Sequence, residues 1–311
     1  MSDDPFSAVL ELVEAQAVCA GGFTAGGAWA VAFPPPDRLK FFVIARGWCW
    51  VTMAGETPFR MEEGDVLMLA APRAFVAASD RALAPRPAEE VFAGATSGIH
   101  AVGTGAEMLF LGGHVDMAAS CGTLLLESLP EVLRIDGTSP EAPRLKMLIG
   151  QLAEECGTAR EGADFAATAL AQLIFLQILR AYLASQGDGG ALKPGWLRVL
   201  ADRRLAPALR LMHAEPGRSW HLPELARASA MSRTAFATRF RMLAGLGPLA
   251  YLAQWRMRLA RRRLAVGGLS VGQIAREAGF ASDAAFSNAF KRVTGESPSQ
   301  FRLRTQQLAA E

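Results

Sequence analysis

The chain has 311 residues, 51% of them hydrophobic and 20% charged, a composition that excludes intrinsic disorder and a length that accommodates two separate cores. Its net charge of +2 hides a division: residues 1–192 carry 12 Lys/Arg against 23 Asp/Glu, net −11, and residues 193–311 carry 20 against 7, net +13. A basic half joined to an acidic half fits a nucleic-acid reader attached to a domain with another task.

The start, Met1-Ser2-Asp3-Asp4, is acidic where a signal peptide is basic. The most apolar run, Ala166 to Leu179, is interrupted by Gln172 and Gln177 and closed by Arg180, and reads as too short for a membrane span. The expectation is a cytoplasmic protein that does not engage a membrane. Cys19, Cys49, Cys121 and Cys156 show neither CxxC nor zinc-finger spacing. They read as reduced, buried and inert, with a thiol sensor as the alternative.

In chain order, Ser7 to Gln16 reads as a short amphipathic helix, with Val9, Leu10, Val13 and Ala17 at helical spacing. After Gly21, Gly22, Gly26 and Gly27 the texture changes to strands: Trp29–Phe33, Leu39–Ala45, Trp48–Met53 and Val66–Leu69. Pro34-Pro35-Pro36, Ala54 to Thr57 and Glu62 to Asp65 separate them, the pattern of a small antiparallel barrel or sandwich.

This strand order, with Gly64-Asp65 in a turn between strands, resembles the cupin barrel over roughly Pro5 to Asp116. Metal-binding cupins place histidines on facing strands, whereas Leu39 to Val76 holds none; Phe42 and Phe75 fall where related sensor domains often carry histidine. No metal or other cofactor is therefore expected. Phe42, Trp48, Trp50 and Phe75, with Met53, predict a dry apolar interior, either a filled core or a pocket for a small, largely apolar or aromatic effector. His100 and His114 lie in or beside glycine-rich loop sequence without a nearby third ligand. No G-x-S-x-G elbow and no phosphate-binding glycine loop occurs, so no catalytic residue is assigned.

From Glu141 to Gln186 the periodicity is helical, with one stripe of Leu145, Leu148, Ile149 and Leu152 and a second of Leu170, Leu173, Ile174, Gln177 and Ile178. Phe175, Leu176, Leu179 and Leu183 cover the opposite arc of the second helix, leaving a face for the neighbouring helix or a second subunit. Gly187 to Gly195 reads as a linker, where the charge changes sign.

The stretch from Leu222 to Arg302 is one helical unit written twice. Leu225 aligns with Ile274, Ala230 with Gly279, Ser232 with Ser282, Phe236 with Phe286, Phe240 with Phe290, Gly245 with Gly295, Pro248 with Pro298 and Tyr251 with Phe301. Each copy reads as a helix-turn-helix: Ala230 or Gly279 in the turn, a serine N-cap on the second helix, and phenylalanines four apart on its inner face. Ser270 to Gln273 has capping-box spacing. Between the copies, Pro248 opens and Gly267-Gly268 closes a helix about 28 Å long. That is near the roughly 34 Å between successive major-groove faces of a duplex.

These residues, with Arg239, the run Tyr251 to Ala260 and Lys291, resemble the DNA-binding domain of the AraC/XylS family of transcription regulators. The resemblance implies an α+β chain: a cupin-like sensor and dimerisation domain over 1–186 (barrel about 17–116, helices about 141–186), a linker over 187–195, and a double helix-turn-helix domain over 196–311. It further implies an activator rather than an enzyme, with double-stranded DNA and RNA polymerase as partners, a homodimer, and regulation by a small effector. A cupin-type enzyme with an accessory DNA-binding domain and a thiol-based redox regulator are the alternatives.

With Phe236 and Phe286 inward, the candidate DNA-reading residues are Arg233, Thr234, Thr238 and Arg241 in the first copy, and Asp283, Ser287, Asn288 and Lys291 in the second. Asn288 suits adenine and Arg233 guanine. Arg256 and the run from Arg261 to Arg263 are candidates for phosphate contact; at the place of Arg256 the family resemblance also implies a brace between subdomains.

Overall fold

The computed structural model describes residues 4–94, 98–118, 121–158, 160–185 and 192–308. In chain order the elements are α1 (Pro5–Val13), β1 (Gln16–Gly26), β2 (Ala30–Phe33), β3 (Leu39–Arg46), β4 (Trp48–Met53), β5 (Phe59–Glu62), β6 (Val66–Leu69), β7 (Phe75–Ala78), β8 (Arg86–Pro87), α2 (Ala88–Val91), β9 (Ile99–Gly103), β10 (Met108–Asp116), α3 (Thr123–Leu126) and β11 (Val132–Ile135). There follow α4 (Ala142–Gly157), α5 (Ala163–Ser185), α6 (Trp196–Ala201), α7 (Ala206–Ala214), α8 (Leu222–Ala228), α9 (Arg233–Ala244), α10 (Pro248–Val266), α11 (Val271–Glu277), α12 (Asp283–Thr294) and α13 (Pro298–Leu308). They form two compact units. One comprises Gln16–Asp116 with Leu129–Gly187, the other Met1–Ala15, Met117–Ser128 and Asp188–Glu311.

The first unit holds two sheets, ordered β11-β6-β3-β10-β1-β9 and β5-β4-β7-β2-β8. Their inner faces enclose one core that includes Phe23, Val31, Phe42, Ile44, Val51, Phe75 and Phe110. β3 is buried on both faces: Phe42 and Ile44 enter this core, while Phe41 and Val43 lie buried on the opposite side of the strand, where α4 packs. That accounts for a nearly continuous apolar run instead of an alternating one.

Of the glycines that precede the strands in the sequence reading, Gly21, Gly22 and Gly26 lie inside β1 and Gly27 follows its end. β1 pairs with β10 from Gln16 to Ala25, with a bulge between Cys19 and Gly21. A Cβ on Gly22 would lie 2.2 Å from the carbonyl oxygen of Phe110, so the close approach of these backbones needs glycine there.

The apolar run Ala166 to Leu179, read from sequence as too short for a membrane span, lies inside the longer α5. At 23 residues it is long and apolar enough to cross a membrane by length and composition alone. Here it packs on α4 and β1, and the Gln172 side-chain oxygen accepts a 2.6 Å hydrogen bond from the Ala17 N–H. Its buried residues include Ala171, Ile174, Phe175 and Ile178, so it is the core helix of this unit; Phe165 and Leu173 remain exposed.

In the second unit α8–α9 and α11–α12 are the two helix-turn-helix copies, joined by α10. Each is built alike. Ser232 accepts from the Ala235 N–H and Ser282 from the Ala285 N–H, both at 3.2 Å, and Gly245 and Gly295 end their helices in the left-handed region. The aromatic triads repeat as well. Phe240 meets Tyr251 at 5.6 Å and Phe290 meets Phe301 at 5.5 Å, both edge to face.

The sequence reading gave residues 1–186 to the sensor, yet α1 and α3 pack within this helical unit. α1 is N-capped by Asp4, contacts α3, α6, α7 and α10, and ends at Glu14, which pairs with Arg262 at 3.1 Å. Its stripe of Phe6, Val9, Leu12 and Val13 is buried. An amphipathic helix docks wherever a complementary apolar face exists, and sequence proximity does not reveal which face that is. Of the expected linker, residues 187–191 lie outside the described residues.

Candidate nucleic-acid interface and barrel cavity

Helix α9 buries Phe236, Phe240, Leu243 and Ala244; α12 buries Phe286 and Phe290. The arc left over exposes Arg233, Thr234, Thr238 and Arg241 on α9, and Asp283, Asn288 and Lys291 on α12, while Ser287 is half-buried. Asp283 opens its helix, where a negative charge complements the dipole, and its carboxylate sits against Gly272. Arg227 and Arg276 were passed over from sequence although the repeat aligns them. Both are exposed, in the last turns of α8 and α11.

The linker-helix arginines are more engaged than expected. Arg256 donates from Nε to the carbonyl of Pro216 at 2.6 Å and from Nη2 to that of Arg218 at 2.8 Å. The same loop abuts the second turn, since a Cβ on Gly279 would lie 2.3 Å from the Gly217 oxygen. The two bonds of Arg256 supply the brace that is the alternative to phosphate contact at this residue. Arg261 is half-buried, with its guanidinium 5.6 Å from the Phe301 ring and Nε inaccessible to solvent. Its stem lies along the second core. Arg262 pairs with Glu14 and Arg263 with Glu277.

The first copy has supports that the sequence reading did not assign. Arg239 on α9 forms an ion pair with Asp202, donating from Nε at 2.8 Å. Burial opposes ionisation of Asp202, but the Arg239 guanidinium and the N–H groups of Leu205 and Arg204 outweigh it and hold the carboxyl below its ordinary range. His213 is fully buried, stacked 3.9 Å from Trp255, with Nε2 2.7 Å from the Tyr251 hydroxyl. Burial pushes its pKa down to about 3.

In the sheet unit, a cavity of about 370 Å³ lies between the sheets, within the size range of small-molecule sites. Phe23, Phe33, Phe42, Phe75, Phe92 and Phe110 line it, with Phe33 stacked on Phe75 at 4.7 Å and Phe42 edge-on to Phe75 at 4.9 Å. Phe42 and Phe75 are where the sequence reading put them. Trp48 and Trp50 are not: β4 turns Cys49, Val51 and Met53 inward and both tryptophans outward, where Arg60 covers Trp48 at 4.1 Å and Arg81 covers Trp50 at 4.6 Å. Strand alternation decided this, because one β4 face must meet the core and the other cannot.

The lining is not purely apolar. Lys40, His100 and His114 also reach it. The histidines stand on β9 and β10 instead of in loops, and His114 Nε2 is 3.4 Å from the Asp116 carboxylate.

Comparison with known proteins agrees with both halves. A family described as cupin matches residues 4–184, and one described as helix-turn-helix domain matches residues 225–304. A putative AraC-like transcription regulator of Streptomyces antibioticus is 36% identical over 96% of this chain and 98% of its own. The transcriptional regulator AlkR of Acinetobacter baylyi is 30% identical over 89% of this chain and 91% of its own. The solved DNA-binding domain of the transcriptional factor AdpA, in complex with a target DNA, is 30% identical over 35% of this chain and 99% of its own, with a TM-score of 0.34.

Proposed function

Because this chain belongs to the AraC-like DNA-binding transcription regulators with an N-terminal cupin domain, we propose that α9 and α12 are its two reading helices, set into successive major grooves on one side of a duplex. The observation that carries this reading is the repetition: two identically capped helices with equivalent buried aromatics expose equivalent polar arcs. The 19-residue α10 between them spans about 28 Å. Arg233 suits the O6 and N7 edge of guanine and Asn288 the N6 and N7 edge of adenine, each worth roughly 1–3 kcal/mol of discrimination; Thr234, Thr238, Arg241, Asp283, Ser287 and Lys291 complete the two surfaces.

Site selection on random duplexes tests the assignment. Asn288→Ala and Arg233→Ala should each relax the consensus at separate positions, one per half-site. An unchanged consensus in both would refute it.

The same reading assigns the barrel cavity to a small, largely apolar effector and gives the barrel a binding role instead of a catalytic one. A ligand at a hundred times its Kd adds about 2.7 kcal/mol to the folded state, which a thermal-melting screen of the full chain would register. The protein acts in this reading as a cytoplasmic homodimeric activator that meets RNA polymerase, with the exposed Phe165 and Leu173 of α5 at the subunit contact. Phe165→Glu should then shift the chain from dimer to monomer in sedimentation.

A further inference from the structure

Two of the four cysteines are brought together by the fold although 137 residues separate them. Cys19 lies on β1 and Cys156 in the last turn of α4, with their sulfurs 3.4 Å apart. A disulfide needs about 2.05 Å, so the two sulfurs are in contact but not bonded. Both residues are partly exposed, and both line a cleft of about 360 Å³ with Val18, Glu155, Asp164 and Thr168. Cys49 and Cys121, in contrast, are buried, and burial pushes the Cys49 thiol up to about 12.

We propose that Cys19 and Cys156 form a reversible redox pair that a hydroperoxide oxidises to a disulfide. Their asymmetry suits the chemistry: the hydrogen bond from Cys156, opposed by burial and aided by the Gly21 N–H, lowers Cys19 to about 7, while the same contact raises Cys156. The Cys19 thiolate attacks the O–O bond of the hydroperoxide. An S–O bond forms, the O–O bond breaks, and the departing alkoxide, or hydroxide from hydrogen peroxide, takes a proton from water to leave as an alcohol or as water, giving a sulfenic acid on Cys19. The Cys156 sulfur then attacks the Cys19 sulfur. The S–S bond forms, the S–O bond breaks, and hydroxide leaves with the Cys156 proton as water; a dithiol reductant reverses the pairing.

The pair also sits where a bond has leverage. Cys19 immediately precedes the β1 bulge, and Gly21 and Gly98 line both this cleft and the aromatic cavity. Tying α4 to β1 at Cys19 therefore constrains a wall of the cavity. The proposal is independent of the DNA-reading assignment, because its readout is the chemistry of the thiols.

The test is peptide mapping of the full-length reduced protein after brief treatment with hydrogen peroxide, with alkylation under denaturing conditions. The expected result is a mass loss of two hydrogens, one Cys19–Cys156 cross-linked peptide, and Cys49 and Cys121 still alkylated. Dithiothreitol should restore four alkylatable thiols. Cys49→Ser should leave the cross-link intact, whereas Cys156→Ser should halt the reaction at oxidised Cys19. Four alkylatable thiols after treatment, a cross-link to Cys49 or Cys121, or one only between chains would overturn the proposal.

Discussion

The two helix-turn-helix copies have the same caps and the same aromatic triad, yet they are supported differently. The first is tied to the end of α6 by the Asp202–Arg239 pair, next to α7, whose buried His213 stacks on Trp255 of α10. The second leans on α13 and on the loop that Arg256 clamps, with Arg302 donating to the Leu269 carbonyl at 2.7 Å. Their turns share the left-handed backbone but not the residue: Ala230 adopts φ 49° and Gly279 φ 76°. A duplicated fold is thus retained by its inner aromatics and turn geometry, while each copy has its own means of attachment to the rest of the unit.

The largest test of this equivalence is the core. Phe240→Ala and Phe290→Ala each remove a fully buried ring and should each cost about 3–5 kcal/mol in chemical denaturation. A markedly smaller loss for Phe290 would mean that the second core can collapse around the cavity.

The turns should separate the copies sharply. Gly279→Ala places a Cβ against the Gly217 oxygen at positive φ and should cost about 2–4 kcal/mol. Denaturation midpoints measure it, and a change under 1 kcal/mol would show that the loop near Gly217 yields freely.

Acid should discriminate next. The unfolded chain protonates His213 near pH 6.5, the folded chain only near pH 3. Between those values the unfolded state binds more protons, so stability falls as pH falls, by about 2 kcal/mol from pH 7 to pH 5. His213→Gln should flatten that part of the stability profile. The second copy has no histidine to add such a dependence. The smallest effect is expected for Ala230→Gly, which relieves the left-handed alanine but frees the unfolded chain. The net should be stabilising and within about 1 kcal/mol.

Sequence disclosed the DNA-reading half in detail because its signals are local and repeated. Ser232, Ser282, Gly245 and Gly295 sit at helix ends, and each phenylalanine pair is separated by one turn. The barrel was legible as a barrel but not in its facing. Trp48 and Trp50, whose bulk suggests an interior place, share a strand with Cys49, Val51 and Met53, and only pairing partners determine which set turns inward. Arg60 and Arg81, which make an outward tryptophan tolerable, are 12 and 31 residues from Trp48 and Trp50 respectively. The bracing of Arg256 likewise depends on carbonyls of residues 216 and 218, which no composition or periodicity reports. The Cys19–Cys156 approach was invisible for the same reason.

The placement of α1 and α3 bears on how far this protein can be taken apart. Its chain passes between the two units four times, at residues 15–16, 116–117, 128–129 and 187–188. A cut at the glycine-rich linker is therefore not a cut between modules. A fragment beginning there would lose the Phe6 ring that lies 6.0 Å from Trp196, and the Leu124 carbonyl that accepts the Trp196 indole N–H at 3.4 Å. A hybrid that exchanged sensors at that point would import a foreign first helix against α10 and replace Glu14 as the partner of Arg262. Portable readers and sensors from this chain must carry their interleaved segments with them, joined by new connections instead of the native one.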